Sequence, residues 1–451
     1  MISKKYSYIF ASKNLVLKRI NEILKTNMYT IKSVFLGVIL WIIPIIAFTQ
    51  NSTNSPYTRY GYGTLADKAF ISQRGMGGIG YGLRNSQLIN PMNPATFSAV
   101  DSMTFMFDLG ITGQVSWLKD GSDKERKENG NLEYLAMQFP IAKKIGFGAG
   151  FEPVSHVGYQ YGDTTHLEGG GLANHIFGGR GGLSKVYGIL SYELYNRLAL
   201  GVKLSYLFGD ITHDISSTNT AADSYSVSET SVIRAYGLLY DFGLQYHLPI
   251  GKYKSMTFGA VYSPKINYGA TVMRDLVSSN AYTIMDIVST VSRDSVFEMP
   301  ETYGLGFTYN QLGKFTVVAD VLYQKWADVK YYDQTNEFNN RLKLNLGGEL
   351  IPNRTSNNLL NRIHYRAGLY YTNSYLKVKD SKYNEYGINA GVGIPMPDPG
   401  SRRPNQRSYL NIAFEYSQIK PELSTLIYEN YFKISLSYTF NESWFFKRKV
   451  Q

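Results

Sequence analysis

Six histidines (His156, His166, His175, His213, His247 and His364) are the residues of this 451-residue chain best suited to proton transfer or metal binding. They are scattered, and none stands at metal-ligand spacing from another. The chain has no cysteine, which excludes disulfides, thiolate metal sites and thiol nucleophiles. A hydrolase on a β-scaffold would need a Ser and a His on neighbouring strands. Many such pairs can be drawn, and nothing in the spacing selects one. The residues therefore point to a protein with no catalytic group, no metal and no cofactor.

The one motif with a chemical precedent is a literal G-x-G-x-x-G at Gly75, Gly77 and Gly80. Dinucleotide binding requires a buried strand before it and a helix after it. Asp67, Lys68 and Ser72 precede it, and Asn90 and Pro91 break any helix that follows. Glycines that let backbone approach backbone in a crowded interior fit the stretch better. It runs from Arg74 through Gly75, Gly77 and Gly78 to Asn93-Pro94-Ala95. Asn and Pro suit a tight turn through local hydrogen bonding and a fixed φ.

The elements around this stretch read as a membrane barrel. From Ser102 onward the pattern has period two. Phe105, Phe107, Leu109 and Ile111 alternate with smaller or polar residues, as do Leu198 to Phe208 and Phe432 to Phe440. About fourteen such strands are expected between Ser102 and Phe440. Short links (Pro140 to Lys144, Tyr195 to Arg197, Pro249 to Tyr253, Gln311 to Gly313) alternate with long ones (Lys119 to Leu132, Gly158 to Gly181, Ile211 to Glu229, Thr271 to Phe297). A soluble sandwich rarely keeps that alternation, whereas an outer-membrane barrel has short turns at one end and long loops at the other. A short helix is expected near Leu65 to Phe70. Thr271 to Phe297 reads equally as a helical cap or as an extension of its strands. The run Lys124 to Glu128 reads as a solvated loop tip, and the outer links show no obvious apolar cluster.

Mean hydropathy is −0.22, too low for a helical membrane bundle but compatible with strands of which only alternate residues face lipid. Val34 to Phe48 is an uncharged run of signal-peptide length, with Ala47 and Thr49 placed for cleavage before Gln50. The expected organisation is a signal peptide over 1–49 (with Met28 an alternative start), a plug over 50–100, a barrel over 101–440 and a tail over 441–451. The formal charge of +11 falls by six with the leader, which leaves too little positive charge for a nucleic-acid partner. Membrane lipids and lipopolysaccharide are the expected surroundings.

Several stretches, taken in order, resemble the FadL family of outer-membrane transporters for long-chain fatty acids and aromatic hydrocarbons. The glycine stretch ending in Asn93-Pro94-Ala95 is similar to the family's N-terminal hatch. Gly148 to Ser155, with Gly150, Phe151, Glu152 and Pro153, resembles its interrupted third strand. Met299-Pro300, Tyr303 to Gly306, Asp320 and Trp326 resemble a strand pair, and Leu346 to Glu349 followed by Tyr365 to Gly368 resembles the next hairpin. The resemblance implies an all-β, fourteen-stranded antiparallel barrel with a plug. It also implies a lateral opening at Gly150 to Pro153 and passage of a small hydrophobic ligand. A proline in mid-sheet implies a bulge, an edge or a gap, and Gly146, Gly148 and Gly150 would add local freedom. Arg74 and Arg84 are expected to pair with lumen carboxylates such as Asp108 or Asp320, since buried charges need partners. Arg84 could instead hold an acid head group. The alternative to transport is a barrel that anchors or hands over a protein partner.

Overall fold

The computed structural model describes residues 53–166, 171–195, 197–219, 225–279, 284–292, 296–311, 314–396 and 408–443. The leader, the tail beyond 443 and the expected start at Met28 lie outside them. One continuous antiparallel sheet closes on itself. Its strand segments, apart from a two-residue bridge at Thr64–Leu65, occupy fourteen positions in chain order. These are β1 (Thr104–Asp120), β2 (Asp123–Ala142), β3 (Ile145–Pro153 with Ser155–His166), β4 (Leu172–Leu194) and β5 (Leu198–Asn219). Next come β6 (Ser226–Pro249), β7 (Lys254–Ser263 with Ile266–Ser279) and β8 (Ile284–Ser292, Phe297–Met299 and Thr302–Gln311). The last six are β9 (Phe315–Gln324), β10 (Arg341–Leu350), β11 (His364–Asn373), β12 (Tyr383–Met396), β13 (Ser408–Pro421) and β14 (Tyr428–Ser443). β14 pairs with β1 from Tyr428↔Lys119 to Ser443↔Thr104, which closes the ring.

The period-two pattern sorts residues between the two faces. On β5, Leu200, Val202, Leu204, Tyr206 and Phe208 are exposed, while Ala199, Lys203, Ser205 and Leu207 are buried. On β6, Tyr236, Leu238, Tyr240, Phe242 and Leu244 continue the exposed apolar series. The inner face carries Gln245, Asp320, Asn345, Glu349, Arg366, Asn411 and Glu415, all buried. A water-soluble protein does not turn a contiguous apolar band outward and its charges inward. A barrel in lipid must, because its outer face meets hydrocarbon and its ladder leaves no edge. No described helix is long and apolar enough to cross a membrane.

All four of the expected long links turn out to be largely strand over their described residues. β1 and β2 run to a tight turn at Gly121-Ser122, with Asp120 opposite Asp123, so Lys124 to Glu128 lie on an exposed hairpin tip. The described parts of the next two links, 158–166 with 172–181 and 211–219 with 226–229, extend β3 to β6 as paired strand. In Thr271 to Phe297, Val272 to Ser279 pair with Ile284 to Ser292, so strand extension prevails over the helical cap. The helical period there was a weak signal; cross-strand pairing satisfies every second backbone group and overrides it. The helix expected at Leu65 to Phe70 is displaced: Thr64–Leu65 bridges to β3, and the helical turn is Ile71–Arg74.

Candidate functional site

Residues 53 to 100 lie inside the ring and run its whole length. Ser55 Oγ donates to the Glu429 carboxylate at the long-link end (2.8 Å), and the Ser98 amide donates to Ser191 Oγ near the short-turn end (2.7 Å). Bare backbone of this segment rests on bare backbone of the wall. Gly201 of β5 pairs with Gly243 of β6, and a Cβ on Gly201 would stand 2.3 Å from the Pro94 carbonyl carbon. Gly347 of β10 pairs with Gly368 of β11, where a Cβ on Gly347 would meet the Met76 oxygen at 1.9 Å. Gly77 itself has φ +80°, a conformation glycine adopts without strain. The G-x-G-x-x-G stretch thus serves close approach to the wall. Gly75 and Gly78 belong to the same contact: Gly75 faces Gly391, and the Gly78 carbonyl accepts from Asn345 Nδ2 at 3.1 Å.

Asn93-Pro94-Ala95 starts a 3-10 turn over Pro94–Ala99. Asn93 Oδ1 accepts from the Ala95 amide (3.0 Å), while its Nδ2 donates to the carbonyls of Tyr81 (2.8 Å) and Leu244 (3.1 Å). One side chain therefore caps a turn, ties the glycine stretch to it and docks both on β6.

The ion pairs differ in partner from the expectation. Arg74 meets Glu133 of β2 (2.6 Å), and Arg84 meets Glu193 at the end of β4 (2.5 Å). Arg84 also donates to Ser98 Oγ (3.1 Å), so the protein's own oxygens engage both of its terminal nitrogens. Asp320 accepts instead from the amides of Gly80 (2.5 Å) and Tyr81 (2.9 Å), and Asp108 accepts from the Thr439 hydroxyl (3.1 Å). Asp108 and Asp320 thus take neutral donors, whose polarity stabilises a carboxylate without a counter-ion. Glu133 was missed in the sequence. It is the extra residue of a bulge, since Gly110 faces Tyr134 while Ile111 faces Leu132, and both Glu133 and Tyr134 turn inward. The signal was a change of parity, from Leu132 to Leu135, Met137 and Phe139.

At β3 the wall is interrupted. The β2–β3 ladder runs from Ala142↔Ile145 to Leu135↔Phe151 and stops there. Pro153 still pairs with Ser184 of β4, so the break faces β2. Beyond it, the upper part of β3 takes its second set of partners from the inner segment. Thr64 and Leu65 pair with His156 and Ser155, the Ala66 amide donates to the Val154 carbonyl (2.9 Å), and Thr58 Oγ1 bonds both backbone groups of Gly158 (3.1 Å). Glu152 points inward and joins Lys203 (2.7 Å) and Lys185 (3.0 Å). The glycines before Pro153 loosen nothing. Gly146 and Gly148 leave room for Phe97, and Gly150 for Tyr187.

Beside Pro153 is a cavity of about 110 Å³ lined by Leu65, Val154, Leu239, Met299 and Leu322 together with four cationic and three acidic side chains. Aromatic residues close the long-link end above it. Trp326 packs against Tyr375 at 4.4 Å and lies 5.8 Å from Tyr62, whose amide donates to Tyr375 Oη (3.1 Å). Among the described residues, no group of three or more His, Asp or Glu is arranged to hold a metal ion.

A family profile described as BamG matches residues 30–451. Among solved structures the chain is similar to the Pseudomonas putida toluene transporter TodX. That likeness has 16% identity and a TM-score of 0.54, over 84% of this chain and 100% of that one. It is also similar to a Pseudomonas aeruginosa FadL homologue (13%, TM-score 0.57, 84% and 99%) and to the CymD monoaromatic hydrocarbon channel (14%, TM-score 0.52, 84% and 98%). At these identities the likeness is one of fold, a FadL-like barrel. No curated protein matches the sequence.

Proposed function

The chain belongs to the BamG family, and from that premise we propose that it is an outer-membrane channel for small hydrophobic or amphipathic molecules. Residues 53 to 100 act as its plug, and the interruption at Gly150 to Pro153 is its lateral opening. The observation that carries this reading is the end of the β2–β3 ladder at Leu135↔Phe151, two residues before Pro153, which itself lines an interior cavity. A gap there lets an apolar solute leave for the bilayer core without crossing the polar lipid surface. The named activities of the similar structures, toluene transport and passage of monoaromatic hydrocarbons, agree with such a solute. The test is uptake of toluene and of a long-chain fatty acid by vesicles carrying the protein. Pro153→Val, which restores a donor, and deletion of 53–80 should both change the rate. Unchanged uptake in both variants would rule the channel out.

A second reading, a barrel that holds a protein partner, is favoured by one surface. On the extended hairpins, Leu276 pairs with Val288 and lies diagonal to Val227, and all three are exposed beyond the apolar band. These residues come from three different strands, so no cluster is visible in the linear sequence. Leu276→Glu with Val288→Glu should abolish capture of such a partner and leave uptake unchanged.

A further inference from the structure

The wall has a second interruption, on the other side of the same cavity. β6 pairs with β7 at Phe242↔Tyr262 and again from Tyr236↔Gly269. Between these points Gly237 to Asp241 face Ser263 to Tyr268 with no ladder. One bulge residue would account for the change in register, but not for five consecutive positions without a ladder. Pro264 lies within this seam and can donate nothing to it. Two contacts span it: Ser263 Oγ donates to Asp241 at one end, and Tyr268 packs against Gly237 at the other. At about 3.3 Å per residue the slot between them is on the order of 10 Å long.

The cavity reaches this slot. Its lining includes Tyr240, which belongs to the outward, lipid-facing series of β6, together with Ser263, Pro264 and Ile266. On the inner side, four cations of the lining face three carboxylates. Lys185 is held by Glu152 and Lys343 by Asp67 at 3.3 Å. Among the described residues, Lys68 and Arg341 make no ion pair; Arg341 donates only to neutral oxygens, Thr372 Oγ1 and Gln324 Oε1, both at 3.2 Å. Two half-buried cations without a direct ion-pair contact are poorly compensated. Burial pushes the Lys68 ammonium below its ordinary value, against the pull of Asp241.

We propose that the β6–β7 seam is a second lateral port. It admits an anionic amphiphile whose head group binds Lys68 and Arg341 and whose alkyl chain leaves between Leu238 and Ile266, past Tyr240, into the bilayer. This rests on the channel reading and narrows its substrate class. A neutral arene has no use for the two cations, whereas a carboxylate supplies the charge they lack.

The test uses the full chain in phospholipid nanodiscs, where the absence of cysteine allows single-site labelling. A bimane is placed at Tyr240→Cys in one variant and at Leu135→Cys, beside the β2–β3 break, in another. 11-Bromoundecanoate, which carries a quenching bromine at its tail, is titrated against 11-bromoundecanol. The expected result is saturable quenching at position 240 by the acid, weakened roughly tenfold or more by Lys68→Gln and by Arg341→Gln. Affinity for the alcohol should be the same in both variants and the parent. Saturable quenching at 135 alone would overturn the second port and leave the channel standing. Equal binding of the acid to parent and variants would overturn the head-group assignment. No saturable quenching at either position by either probe would overturn both the port and the channel.

Discussion

The Arg74 guanidinium reaches the Glu133 carboxylate at 2.6 Å because Glu133 is the extra residue of a β-bulge. In regular register, an inward Tyr134 would be followed by an outward side chain at 133. The bulge turns both inward: Tyr134 stacks flat on Phe70 at 3.6 Å and accepts the Ile71 amide, while Glu133 takes Arg74. A local defect in the wall thus positions the helical turn Ile71–Arg74 of the inner segment.

Removing one member of this pair should cost far more than removing both. Glu133→Gln leaves a buried guanidinium without its counter-ion and is expected to destabilise the fold by about 3 kcal/mol. The double variant Arg74→Met, Glu133→Leu should lose much less, since no charge remains buried. Thermal unfolding in detergent, read by loss of β-sheet circular dichroism, measures the difference. Equal losses in the single and double variants would show that the pair is not the source.

Side chains at the glycine contacts should dislodge the inner segment and spare the wall. Gly347→Leu would drive a Cβ into the Met76 carbonyl, and Gly201→Val would do the same at Pro94. Both face the lumen, so the lipid-facing band is untouched. Trypsin should then cut at Arg74 and Arg84, while the barrel keeps its heat-dependent mobility on a denaturing gel. Protection equal to the parent would mean that the segment is held elsewhere.

Asn93→Asp separates the two jobs of this side chain. The acceptor for the Ala95 amide remains, but the donor between the Tyr81 and Leu244 carbonyls becomes a third oxygen. A loss of roughly 1–3 kcal/mol is expected from that repulsion and lost bonding. Asn93→Ala should cost no more than the aspartate, and a milder effect for Asp would contradict the docking role.

Acid should loosen the inner segment near Asp67. Burial alone would raise this carboxyl, but Lys343 and Arg74 beside it outweigh burial and hold it at about 2, below its ordinary 3.8. The folded form is thus the weaker proton binder. Its contribution to stability is complete above about pH 4 and is lost as pH falls through about 2. Hydrogen exchange of peptides covering residues 64 to 80, corrected for intrinsic rates, should rise across that window in the parent. Asp67→Asn should show the raised rate at every pH. Parallel curves for the two would exclude Asp67 as the group responsible.

The barrel was legible in the sequence because lipid on one side and packed interior on the other impose period two on every strand, as at Leu198 to Phe208. The alternation of turns survived less well. Lys124 to Glu128 reads as loop by charge, yet a strand beyond the bilayer tolerates exposed charge on both faces. In the candidate site, the glycine stretch and Asn93 could be singled out because few residue types fit a tight turn or close approach. The partners of Arg74 and Arg84 could not be read. Any of several inward carboxylates would serve, and the choice of Glu133 rests on a bulge that appears in the sequence only as a parity slip. The β6–β7 seam left only a faint trace: Leu238, Leu239 and Tyr240 run together without alternation and Pro264 stands on the neighbouring strand, but neither tells which ladder opens.

The pairing of glycine with glycine across neighbouring strands has a consequence for biogenesis. A segment that spans the whole lumen, with its backbone pressed onto opposite walls, leaves no clearance for being threaded in afterwards. Residues 53 to 100 must already lie across the inner face while the sheet is still open. The zipping of β14 onto β1, which places Glu429 over Ser55, is then the committing step that traps them. The order of events is written into the wall: the contents first, the closure last.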